Sequence, residues 1–272
     1  MVEKYMQLIN QVREQSPLVH HITNYVTVND CANITLAIGA SPIMADALEE
    51  AAEITQIASG LVLNMGTLNK RTVASMIESG KMANKIGIPV ILDPVGAGAS
   101  SFRNETAAKL LKEIKVNVLR GNISEIKFLA GLDSETKGVD ASENDWTNST
   151  DAQKIAQDLA IRLDCIVAIT GKVDFVSDGN RTVAIENGHS MLSQLTGTGC
   201  MCSSLIGSYC GAAAEKTFEA TVTALVTMGV AGELSFEKAG EVGNGSFRVS
   251  LQDAISKMNE EMLTRRALFY EI

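Results

Sequence analysis

Aromatic side chains are scarce: they supply 4% of the 272 residues, against 46% for all hydrophobic types, so the core must be aliphatic. No run of about 18 apolar residues occurs, which leaves no segment suited to crossing a bilayer as a helix. Positive charge is in deficit. With 23 Lys and Arg against 32 Asp and Glu the net charge is −9, which argues against non-specific binding to nucleic acid or to an anionic membrane. The five cysteines, at positions 31, 165, 200, 202 and 210, are odd in number and too sparse for a disulfide framework or a zinc pattern. The N-terminal residues 1–17 form a charged amphipathic helix pattern, not a signal peptide. The expectation is a reduced, cytoplasmic protein in which the sequons at Asn33, Asn122, Asn148 and Asn180 are chance matches. Two phosphate-binding fingerprints are also missing. Gly171-Lys172 lacks the frame of a Walker A loop, and no Gly-x-Gly-x-x-Gly follows an early strand.

What is present is alternation. Short apolar runs at 60–66, 88–94, 116–121 and 165–171 are separated by helical patterns at 69–86, 103–115, from 122 onward, and at 151–163. That rhythm predicts a mostly parallel sheet covered on both faces. Segments 174–177 and 182–186, joined by Asp178-Gly179-Asn180-Arg181, predict an antiparallel hairpin, and the chain from Cys200 onward reads as helical. The acidic stretch 131–150, with the one tryptophan, reads as a surface loop and not as a linker, so a single domain over 1–272 is expected.

The most informative segment is Thr196-Gly197-Thr198-Gly199-Cys200, which opens a long helix of small and apolar residues. Unpaired N–H groups collect at a helix start and the dipole adds positive charge, so Gly197, Thr198 and Gly199 form a candidate anion cradle. Cys200 sits in the first turn, where a thiol tends to ionise more easily. The plainer alternative is a tight loop before a buried helix, with Cys200 a small core residue.

Ligands of open α/β sheets gather at the carboxyl ends of the strands. Those ends read Asn64-Met-Gly, Asp93-Pro-Val-Gly, Arg120-Gly-Asn122 and Thr170-Gly-Lys. Asp93 suits a metal ion, held directly or through water, or it caps a turn. Arg120 suits phosphate. Asn122 followed by Glu125 has capping-box spacing, and Glu125 alternatively holds metal-bound water. Thr170 offers a hydroxyl to a nucleotide, or merely ends a strand. His20 and His21 lie in a segment that alternates poorly and read as structural. Asn24 suits a hydrogen bond to a small heterocycle or an Asn turn, and Met44 suits core packing or an apolar wall beside a ligand. Taken together, these residues fit magnesium-dependent phosphoryl transfer, where catalysis is largely positioning and charge neutralisation.

Seven segments in order then carry a resemblance: Ser16-Pro-Leu-Val-His-His-Ile-Thr-Asn24, Gly39-Ala-Ser-Pro-Ile-Met-Ala45, Leu63-Asn-Met-Gly-Thr67, Ile91-Leu-Asp-Pro-Val-Gly-Ala-Gly98, Arg120-Gly-Asn122, Ile169-Thr-Gly171 and Thr196-Gly-Thr-Gly-Cys200. The chain closely resembles the hydroxyethylthiazole kinases of thiamine synthesis and salvage, over nearly its whole length. The resemblance implies a ribokinase-like three-layer α/β/α fold, a mostly parallel central sheet flanked by helices, with no separate lid domain. It implies transfer of the ATP γ-phosphate to the primary alcohol of 4-methyl-5-(2-hydroxyethyl)thiazole. Arg120, Thr170 and Asn122 would meet ATP, and Asp93 and Glu125 would hold Mg2+. Asn24, Met44 and Gly197 would line the thiazole site. Cys200 occupies the place of an aspartate base in related sugar kinases, with the 197–200 backbone stabilising the transferring group. A homotrimer with active sites between subunits is implied as well. Two departures stand out: Thr198 replaces a common alanine, and Asn244 stands where many members have proline.

Two other readings remain open on sequence: a kinase for another small alcohol such as hydroxymethylpyrimidine, and a non-catalytic ATP-binding sensor on the same fold. The absent dinucleotide fingerprint disfavours an NAD-dependent oxidoreductase.

Overall fold

The computed structural model describes residues 2–132 and 149–272. The expected surface loop at 131–150 falls, for residues 133–148 and the tryptophan among them, outside the described residues. One nine-stranded sheet runs through the molecule in the order β2-β1-β3-β4-β5-β6-β7-β8-β9. Its strands are β1 (Leu18–Ile22), β2 (Ser41–Met44), β3 (Gly60–Asn64), β4 (Val90–Asp93), β5 (Val118–Asn122), β6 (Ile166–Thr170), β7 (Asp174–Ser177), β8 (Thr182–Ile185) and β9 (Phe269–Glu271). Strands β1 to β6 are parallel, whereas β7, β8 and β9 pair antiparallel.

Helices cover both faces. On one side α4 (Ala51–Gln56), α5 (Lys70–Ile86), α6 (Ser101–Glu113), α7 (Ile123–Ala130) and α8 (Ser149–Leu163) share a core with Leu61, Leu63, Val90, Leu92 and Leu119. On the other, α1 (Val2–Met6), α2 (Leu8–Gln15), α3 (Val28–Ile38), α9 (Thr198–Ala212), α10 (Thr217–Ala239) and α11 (Asn244–Lys257) share a core with Val19, Val62, Ile91 and Val118. Successive residues of β3 and β4 therefore face opposite layers, both apolar, which is why these strands read as unbroken hydrophobic runs. Burying each such side chain contributes roughly 1.5–3 kcal/mol.

The same physics explains the poor alternation around His20 and His21: the segment is β1, buried on both faces and flanked by β2 and β3. His20 satisfies its ring nitrogens with Thr55 Oγ1 and Ala45 O, each at 2.8 Å, and His21 Nδ1 pairs with Val19 O at 3.0 Å. Both imidazoles are structural, as the sequence suggested. Burial pushes the His20 pKa down and that of His21 down to about 4.

Helix α9 owes its composition to its seat. A Cβ on Gly207 would collide with the Val62 side chain, and one on Gly60 would stand 3.1 Å from Gly207 O. The helix lies directly on the sheet, and its N-terminus projects at the carboxyl ends of β1, β3 and β4. Among the described residues no helix is long and apolar enough to cross a membrane.

Candidate active site at the strand ends

Asn64 and Asp93 are the last residues of β3 and β4 and pair across the ladder. Both are buried, and their side chains touch: Asn64 Nδ2 donates to Asp93 Oδ2 at 3.0 Å. Ser203 Oγ, from the second turn of α9, donates to the same oxygen at 2.7 Å, and Arg120 Nη1 approaches it at 3.4 Å. Asp93 Oδ1 is buried with no partner among the described residues. Arg120 in turn donates through Nη2 to Thr170 Oγ1, while its Nε is buried and unpaired. The sequence-predicted residues Asp93, Arg120 and Thr170 are thus brought into one connected group by strands β4, β5 and β6.

The electrostatics of that group are strained in a useful way. Burial raises the Asp93 pKa, while Arg120, Ser203 and Asn64 pull it back. Burial also works against the Arg120 cation, but Asp93 chiefly, with Cys202 and Glu125, outweighs it, so the guanidinium stays charged. Buried ion pairs of this kind rarely stabilise a fold on balance, because desolvation consumes the Coulomb gain. Their presence here favours a chemical role.

Glu125 lies in the first turn of α7 and closes the capping box anticipated from sequence. Its amide N–H donates to Asn122 Oδ1 and its Oε2 accepts from the Asn122 N–H, both at 2.9 Å. Its Oε1 accepts from the Gly96 N–H at 2.8 Å. Asn122 therefore spends its side chain on the cap. Yet capping does not need an ionised carboxylate under burial beside Asp93, two influences that push the Glu125 pKa up to about 7. Two buried carboxylates raised in this manner, one with an unpaired oxygen, fit a divalent cation. Among the described residues no group of three or more His, Cys, Asp or Glu could hold a metal. Two carboxylates suit a hard ion whose remaining positions go to phosphate and water.

Gly197 precedes α9 with φ +88, in the left-handed region that favours glycine. The first hydrogen bond of the helix runs from Met201 N to Gly197 O at 2.8 Å. The N–H groups of Thr198, Gly199 and Cys200 precede that ladder and are the free donors of the helix start. Thr198 turns its hydroxyl back to Leu192 O at 3.0 Å, so its contribution to the cradle is its backbone.

A helix start alone would ease ionisation of the Cys200 thiol, but its pKa is raised, by burial first and by Asp93 next. The sulfur accepts from Asn24 Nδ2 at 3.4 Å and from Asn64 Nδ2 at 3.3 Å. Asn24 belongs to the same network: it donates to Asn64 Oδ1 at 2.9 Å and accepts from both the N–H and the hydroxyl of Thr27 at 3.1 Å.

Met44 stands apart from this group. It is half-buried at the end of the edge strand β2, paired with His21, on the same rim but separated from β3 by β1. Three contributors escaped sequence reasoning. Asn64 was visible only as a strand end with no role attached. Ser203 lies three residues beyond Cys200, a helical spacing that places both on one face and was the available signal. Arg103 gave none: its Nη1 donates to Met65 O at 2.6 Å and Val95 O at 2.5 Å, tying together the loops after β3 and β4.

Comparison with known proteins places this geometry. A sequence model described as the Hydroxyethylthiazole kinase family matches residues 9–261. The chain belongs to the hydroxyethylthiazole kinase family. It is 57% identical over 270 residues to a hydroxyethylthiazole kinase of Clostridium beijerinckii, covering 99% of this chain and 98% of that one. It is equally similar, 57% over 266 residues, to that of Ruminiclostridium cellulolyticum, covering 98% and 97%. The solved structure of a hydroxyethylthiazole kinase protein from Pyrococcus horikoshii superposes with a TM-score of 0.90 at 40% identity, covering 99% of each chain. Pyridoxal kinase of Staphylococcus aureus, at 14% identity and a TM-score of 0.62 over 80% of this chain and 88% of that one, shares the ribokinase-like fold alone.

Proposed function

We propose that the protein transfers the γ-phosphoryl group of ATP, with Mg2+, to the primary alcohol of 4-methyl-5-(2-hydroxyethyl)thiazole. Membership of the family supports kinase chemistry on this thiazole alcohol in thiamine biosynthesis. The observation that carries the residue roles is the meeting of a half-satisfied buried carboxylate, Asp93, with Arg120 and the free N–H groups of α9.

In this reading the alcohol oxygen forms a bond to the γ-phosphorus, the bond from that phosphorus to the β–γ bridging oxygen breaks, and ADP leaves while the hydroxyl proton is released. Mg2+ held by Asp93 and Glu125 would neutralise phosphate charge. Arg120, Thr170 and Asn122 bind the nucleotide. Asn24, Met44 and Gly197 line the thiazole site. The N–H groups of residues 198–200 face the charge that spreads over the transferring group, where preorganised donors act without reorganisation. Cys200, whose ionisation burial and Asp93 oppose, assists only modestly as a base.

A single kinase domain assembled as a homotrimer, with sites between subunits, completes the proposal. It is supported by the solvent-exposed apolar pair that follows Asn24, Tyr25 at 79% and Val26 at 56% exposure. Light scattering reads the assembly directly, and a monomer would refute it. The reaction is tested by ADP release from ATP and Mg2+ with and without the thiazole. Thiazole-dependent turnover giving a phosphorylated thiazole is expected. Folded, ATP-binding protein that ignores the thiazole would shift the assignment to another small alcohol or to a sensor.

A further inference from the structure

The two oxygens of the Asp93 carboxylate live in unlike surroundings. Oδ2 accepts from Ser203 at 2.7 Å, from Asn64 at 3.0 Å and from Arg120 at 3.4 Å, whereas Oδ1 is buried with no partner among the described residues. Buried polar atoms are nearly always paired. An unpaired oxygen beside one with three donors is a built asymmetry, and a quarter-turn of the carboxylate would erase it.

Ser203 makes the shortest of these contacts and departs from the habit of its neighbours. Ser204 and Ser208, on the same helix, return their hydroxyls to the carbonyls four residues back, Cys200 O at 3.1 Å and Ser204 O at 2.8 Å. Ser203 instead reaches the end of β4, to a residue 110 positions away in sequence. Asn64 is a fixed neighbour: its Oδ1 accepts from Asn24 and from the Gly66 N–H, and its Nδ2 serves Asp93 and Cys200. With those contacts made, it cannot follow Asp93 if the carboxylate turns.

We infer that Ser203 is a positioning residue: with Asn64 beside it, its hydroxyl locks Asp93 so that Oδ1 is the oxygen left for the divalent cation. The inference rests on the reading in which Asp93 and Glu125 hold that cation. Because Ser203 and Cys200 share one face of α9, the same helix that offers its N–H groups to the phosphoryl group also sets the carboxylate.

The test is Mn2+ binding to the protein–ADP complex, read from the electron paramagnetic resonance of the free ion, without turnover. Ser203→Ala is expected to weaken Mn2+ binding about tenfold, in line with lost outer-shell partners of metal ligands. Ser208→Ala, an equal deletion in the same helix, is expected to leave Mn2+ binding unchanged. Ser203→Thr, which keeps the hydroxyl, is expected to stay within about threefold of the parent. ADP binding without metal verifies that each variant is folded. If Ser203→Ala binds Mn2+ as the parent does, or if Ser203→Thr is as weak as Ser203→Ala, the positioning role is wrong. A parent protein that takes up no Mn2+ beside ADP would instead overturn the cation reading itself.

Discussion

Arg120 lies against the backbone of Gly199 so closely that a Cβ at residue 199 would stand 2.6 Å from Nη1. The end of β5 and the start of α9 are thereby joined through a side chain that also reaches Asp93 and Thr170. The second glycine of the motif serves proximity more than flexibility.

Gly199→Ala isolates that contact, because alanine is the better helix former by about 1 kcal/mol and brings no backbone penalty here. The expected outcome is a protein that melts near the parent temperature while kcat/KM for ATP falls by about a hundredfold, the cost of a misplacement near 1 Å. Wild-type kinetics in this variant would show that the guanidinium is free to move aside.

Gly197 is constrained differently. Its φ of +88 disfavours other residues, and a Cβ would lie 2.5 Å from Thr27 Cγ2. Gly197→Ala should impair thiazole binding. Adding Thr27→Ser removes the colliding methyl yet keeps the hydroxyl that donates to Asn24, so the double variant should recover part of the loss. Roughly 1–2 kcal/mol of backbone strain would remain. Equal thiazole KM in the single and double variants would contradict this steric account.

Cys200→Ser tests the base. A full general base contributes about 10²–10⁴ in rate. With the thiol raised by burial and by Asp93, the serine variant is expected to keep kcat within about tenfold of the parent. Asp93→Ala should lose at least about a hundredfold. Comparable losses in the two variants would restore Cys200 to a central role.

The pH dependence follows from Glu125. A carboxyl whose folded pKa is raised to about 7 holds its proton where the unfolded chain has already lost it. That stabilising contribution is present at low pH and fades as pH climbs from the ordinary carboxylate range through about 7. Cation binding needs the ionised form and so has the opposite slope. Calorimetric titration of Mn2+ into the protein–ADP complex should show affinity rising through about pH 7 with proton release, while the thermal stability of the ligand-free protein declines over the same interval. Affinity independent of pH would disprove the assignment of Glu125.

Much of this is legible in the sequence. The strands that carry Asp93, Arg120 and Thr170 toward their carboxyl ends announced themselves as apolar runs with polar ends, and Asn122 with Glu125 showed capping-box spacing. What escaped was whatever depends on two layers meeting. The β1 segment failed the alternation test because both of its faces are buried. Ser203 resembled any serine inside a helix until the helix was placed over β4. The raised pKa of the Cys200 thiol is also out of reach of sequence, because helix position is local information, whereas burial and the approach of Asp93 are not.

The seam of small residues where α9 rests on β3 has a further meaning. It encodes a length. Gly207 and Gly60 do no chemistry, yet they determine how far the anion cradle stands from the carboxylate rim. A methyl group added at Gly207, more than a full helical turn from Ser203, would lift the whole assembly like a shim beneath an instrument. Such a protein could keep every functional side chain and still be out of alignment, so its search for activity-restoring changes would run through Val62 rather than through the site.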